Sequence, residues 1–88
     1  MTYMTDEPYD NIHFTMSLGS TPDNRERVGG ILEEVSDVDS YDIDEEASDI
    51  DVRVRVKDGS HPYRLYDALV REFCERLPQG IQIKGARV

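Results

Sequence analysis

A single cysteine, Cys74, has nothing to pair with inside the chain, so neither a disulfide framework nor a thiolate zinc cluster is available. Apolar runs are short, and none approaches the ~18 residues that a membrane-spanning helix needs. The opening residues, Met1 to Glu7, lack the cationic head and apolar stretch of a secretory signal. These absences point to a cytosolic protein with no membrane partner. There is also no phosphate-cradling glycine loop, no metal-ligand spacing of His, Cys, Asp or Glu, and no Ser/His/Asp order. The expectation is a non-enzyme without a metal or small-molecule cofactor. His13 and His61 read as surface or capping residues, and Cys74 as a half-buried thiol beside an apolar helical stripe.

Charge is what the sequence has in abundance. Its 88 residues carry 19 acids and 10 bases, a formal net charge of −9. The imbalance is uneven: residues 1–49 hold 14 acids and two bases, whereas residues 50–88 hold five acids and eight bases. Eleven of the acids are Asp, and only Lys57 and Lys84 among the bases are lysine. This habit resembles that of cytosolic proteins from salt-loving archaea. A carboxylate-rich shell repels itself in dilute buffer, and salt screens that repulsion. The run from Glu33 to Asp51 also invites a calcium-loop reading that begins at Asp37. Position six would then be Asp42 rather than Gly and position twelve Ser48 rather than Glu, so the pattern fails.

Hydrophobic periodicity gives the architecture. Residues 1–10 have no period and read as a flexible arm, leaving 11–88 as a single domain. Ile12, Phe14, Met16 and Leu18 alternate with polar residues, which marks a half-buried strand. Thr21-Pro22-Asp23 has the form of a helix start, followed by an apolar stripe of Val28, Ile31, Leu32 and Val35. Gly29-Gly30 inside this helix either permits close packing or ends it early. A short strand at 40–44 and a longer one at 50–57 form a hairpin. A second helix, about 62–77, carries Leu65, Tyr66, Leu69, Val70, Phe73 and Leu77 on one face. A last strand starts at Gly80-Ile81-Gln82-Ile83-Lys84. Gly19-Ser20-Thr21-Pro22 recurs as Gly59-Ser60-His61-Pro62, so the chain reads as two strand–helix–strand units. That is an α+β, ferredoxin-like βαββαβ sandwich: a four-stranded antiparallel sheet, first and third strands central, with both helices on one face.

Alternation then assigns the open sheet face. It should present His13, Thr15 and Ser17, Asp42 and Asp44, Arg53, Arg55 and Lys57, and Gln82 and Lys84. The face is basic in its middle and acidic at one edge. Two readings compete for the cations. Either they pair across the hairpin with Asp42 and Asp44, or Arg53, Arg55, Lys57, Lys84 and His13 form a binding face. RNA is one partner for such a face, although RNA-binding sheets of this fold usually stack bases on aromatic side chains and none is expected here. A protein partner or a second copy of the chain is the simpler occupant. A third reading makes the acids a nucleic-acid mimic that blocks a basic protein.

The close of the chain, Leu77-Pro78-Gln79-Gly80-Ile81-Gln82-Ile83-Lys84, with the alternating strand before the second helix, is similar to the end of the tenth small-subunit ribosomal protein family. The resemblance covers about a quarter of the chain and implies the same order of strands in sequence. That family's long loop between the two middle strands is reduced here to residues 45–49. The sequence reading is therefore a small binding or assembly module that works through its open sheet face or a sheet edge.

Overall fold

A computed structural model describes residues 11–87 of the protein. The expected arm, residues 1–10, and Val88 lie outside them. The elements are β1 (Asn11–Gly19), α1 (Pro22–Glu34), β2 (Val38–Ile43), β3 (Asp49–Val56), α2 (Pro62–Arg76) and β4 (Ile83–Arg87). They form one four-stranded sheet in the order β2-β3-β1-β4, with every neighbouring pair antiparallel. This is the ferredoxin-like arrangement, with the first and third strands in the centre.

The central strands supply the floor of the core. Ile12, Phe14 and Met16 on β1 and Ile50, Val52, Val54 and Val56 on β3 are buried, while their alternate neighbours are not. Val28, Ile31 and Leu32 of α1 and Leu65, Leu69 and Phe73 of α2 enter the same apolar cluster, which places both helices on that one face. Phe14 lies at its middle. Its ring stacks on Tyr66 at 5.4 Å between centroids and meets Phe73 edge-on at 5.5 Å. The helix ends are tied by Arg76, whose guanidinium grips both carboxylate oxygens of Glu34 at 2.7 and 3.0 Å. An acid at the end of α1 faces the negative pole of that helix, and the Arg76 cation offsets the repulsion.

The two helix starts are unequal despite their shared motif. Thr21 caps α1 by accepting from the Asn24 N–H at 3.2 Å. His61, at the same place before α2, makes no such bond. The last strand also starts later than expected. Gly80 takes φ +89° in a turn, and β4 begins at Ile83 rather than at Gly80. Gln82 is nevertheless held to β1, since Ser17 N–H donates to its carbonyl at 2.9 Å. Strand β2 begins at Val38, two residues before the expected start. Cys74 is exposed rather than half-buried, because the apolar face of α2 is taken by Leu69, Phe73 and Leu77.

The glycine pair in α1 divides its roles. The helix runs through both residues. Gly29 is buried, and a Cβ there would lie 2.9 Å from the Tyr41 hydroxyl, so close packing against β2 is what it permits. Gly30 is exposed with open space around its α-carbon. On β4, a Cβ at Gly85 would press on the Tyr66 ring and lie 2.9 Å from the Phe14 ring. Gly30→Ala should therefore stabilise the domain by about 1 kcal/mol, raising Tm by roughly 4–8 °C. Gly85→Ala should destabilise it by about 1–3 kcal/mol through overpacking. Thermal denaturation of the two variants beside the parent checks both signs.

Candidate binding face

The sheet face away from the helices is polar along its register except at Ala86. One row runs Asp42, Arg53, His13, Ala86 across all four strands. The next holds Asp51, Thr15 and Lys84, and a third holds Ser40, Arg55 and Asn11. No aromatic side chain stands in these rows.

The expected cations are all on this face or at its border, but they are not one patch. Arg53 and Arg55 are neighbours on β3. Lys84 is on β4, two strands or about 10 Å away. His13 and Thr15 of β1 lie between them. Lys57 follows the end of β3, where its backbone N–H donates to the Asp37 carbonyl at 2.9 Å.

Carboxylates are set among these cations. His13 Nε2 is 2.6 Å from Asp51 Oδ1, and because a carboxylate only accepts, that nitrogen carries the hydrogen. Arg55 Nε is 3.5 Å from Asp39 Oδ2. The expected partners were Asp42 and Asp44, and the difference is geometric. Between Val38 and Ser40 the β2–β3 register slips, leaving Asp39 as an extra residue beside Arg55. Asp44 instead accepts from the backbone N–H of Glu46 at 2.9 Å and shapes its own loop. Asp42 stands directly across from Arg53 in register, yet the two make no ion pair. Among the described residues Arg53 has neither an ion pair nor a side-chain hydrogen bond. It borders a shallow depression with Asp42, Asp44, Glu45, Glu46 and Asp51.

Asp51 and Asp39 are the participants that the sequence reading passed over. The alternation Asp51-x-Arg53-x-Arg55 places Asp51 on the same face and was sufficient to find it. No local pattern announces the slip that brings in Asp39. A second interruption lies between β1 and β3. Thr15 pairs with Asp51 and Gly19 with Asp49, so three residues of β1 face one of β3. A cleft of about 330 Å³ opens there, with Ser17, Asp49, Asp51 and Lys84 at its walls and Met16 and Ile50 beneath. Ser17 closes one side, its Oγ accepting the Gln82 N–H at 2.6 Å.

Comparison with protein-family models, with curated proteins and with solved structures finds no match to this chain. Among the described residues no three His, Cys, Asp or Glu side chains converge as a metal site would require, and no helix is long and apolar enough to cross a membrane.

On the helix side of the sheet, two titrating groups are held off their ordinary values. The Arg76 hydrogen bonds and charge pull the Glu34 carboxyl below its usual 4.5. The Tyr41 hydroxyl donates to Glu33 Oε2 at 2.6 Å, and that bond, with some burial and the nearby charge, pushes the phenol above 10.0. A raised phenol value means that folding favours the protonated ring. Its contribution to stability is complete below pH 10.0, the ordinary value, and is lost as pH climbs through the folded value. Tyr41→Phe should remove that alkaline loss. Denaturation midpoints measured from pH 8 to 12 should fall less steeply for the variant than for the parent.

Proposed function

We propose that the protein is a non-catalytic binding module whose open sheet face takes up a protein partner, in the simplest case a second copy of itself. Arg53 carries this reading. It stands on a central strand, exposed, with carboxylates around it that are not in ion-pair contact. A guanidinium held this way is open to an opposing carboxylate that approaches from outside the sheet. Because the same face offers both signs of charge, two copies related by a two-fold axis can each set Arg53 against the acids of the other. Arg55 is less available, since Asp39 already occupies it. For RNA, the interleaved Asp39, Asp42 and Asp51 oppose the phosphates that Arg53, Arg55 and Lys84 would attract, and the face lacks a stacking ring.

Sedimentation at molar KCl should show a face-paired species that Arg53→Glu weakens by about 30-fold, the scale of a central arginine at an interface. Arg55→Glu should have the smaller effect. A parent protein that remains monomeric at high concentration overturns the pairing. A salt-sensitive gel shift with mixed RNA that Arg53→Glu abolishes puts RNA in its place.

We also infer salt adaptation from the charge surplus. No charged side chain is buried among the described residues, so the acids there lie at the surface, where like charges repel. Thermal stability should rise markedly from dilute buffer to molar KCl. A midpoint independent of salt contradicts the inference.

A further inference from the structure

The two outer strands of the sheet carry opposite charge and matching hydrogen-bond phase. We propose that copies of this chain join edge to edge, β4 of one against β2 of the next, and so extend the sheet. This uses strand edges rather than the open face, so it stands apart from the pairing proposed above and leaves that face free.

The phase follows from the observed ladders. Ser17 N–H donates to Gln82 O, and Thr15 and His13 lie opposite Lys84 and Ala86 in the same phase. The backbone groups of Lys84 and Ala86 are therefore turned toward β1, and those of Ile83, Gly85 and Arg87 toward the outside. On the other edge, Asp44 N–H donates to Asp51 O, which turns Ser40 and Asp42 toward β3 and Tyr41 and Ile43 outward. Strand β2 runs parallel to β1, and β4 runs antiparallel to it. A neighbouring copy in the same orientation thus offers its β2 antiparallel to β4, with the helices of both copies on one side.

One register satisfies this geometry along the length of β4. Ile83 and Gly85 exchange backbone hydrogen bonds with Ile43 and Tyr41 of the next copy. Lys84 then lies opposite Asp42 of that copy, in the closely spaced pair position where side chains meet most directly. Ala86 lies opposite Ser40. On the helix side the junction covers Ile83, Ile43, Tyr41 and Tyr66, which are only partly buried in the single chain.

Charge selects this junction over the symmetric ones. The β2 edge is flanked by Asp37, Asp39, Asp42 and Asp44, so two β2 edges repel. The β4 edge presents Lys84 and no acid, so two β4 edges bring like charge together as well. Like charges on an edge strand block self-pairing of that edge. Here they leave only the unlike pair, and a head-to-tail pair leaves one free edge of each kind after two copies have joined, so it does not stop at a two-fold dimer.

A charge exchange tests the junction. In sedimentation velocity the parent should show species that grow continuously with concentration rather than stop at a dimer. Lys84→Asp alone and Asp42→Lys alone should each raise the concentration needed for assembly about tenfold or more. Mixing the two variants should restore assembly, because every junction between unlike variants then has opposite charges. Arg53→Glu should leave growth intact. Circular dichroism confirms that each variant is folded. A monomer at all concentrations, a species that stops at a dimer, or single variants that assemble as the parent does each overturns the proposal. Loss on Arg53→Glu with no response to the edge variants leaves the face pairing standing without it.

Discussion

Everything in this domain follows from a steric rule applied to its two central strands. Consecutive side chains on β1 and β3 must point to opposite sides, so burying Ile12, Phe14, Val52 and Val54 under the helices forces His13, Arg53 and Arg55 to the other side. A slip of one residue in either strand would exchange the two sets and place guanidinium groups under Phe73. The cost of burying unpaired charge makes that alternative untenable. The polar face is thus the necessary complement of the core.

The pairing of large and absent side chains refines this frame. Phe14 is wide enough to meet both Tyr66 and Phe73, and Gly85 beside it has no side chain, so Tyr66 can lie flat against the sheet. Gly29 does the same for Tyr41 under α1. A tyrosine therefore lies at the contact of each helix with an outer strand, Tyr41 of β2 against Gly29 of α1 and Tyr66 of α2 against Gly85 of β4. The hydroxyl of Tyr41 is then free to reach Glu33, and the helix ends are clasped by Arg76 and Glu34.

Much of this was legible in the sequence because it depends on local rules. Period-two alternation located the strands, period-3.6 stripes the helices, and the repeated Gly-Ser-x-Pro turn the order of units. What escaped depends on turn geometry and on contacts between distant residues. The late start of β4 follows from the turn at Gly80. The partner of Arg55 follows from a register slip across the hairpin, which no spacing of residues encodes. Cys74 looked half-buried because it borders a stripe on a helical wheel, whereas Leu69, Phe73 and Leu77 take the buried side and leave that flank exposed. The face was expected to be basic in its middle and acidic at one edge; Asp51 beside His13 and Asp39 beside Arg55 set acids among the cations as well.

The interruption between Thr15 and Gly19 divides the sheet into unlike halves. From Asn11 to Thr15, β1 is zipped to β3 residue by residue, with Phe14 and its aromatic neighbours above. Beyond Thr15 the zipper skips, and the strand leans on Gln82 instead. Fluctuations that peel the chain apart would start at the skipped end, because fewer cooperative contacts must break there. The hairpin loop around Ala47 could then loosen and re-form many times while the aromatic half holds its shape, giving a small protein a yielding tip on a firm base.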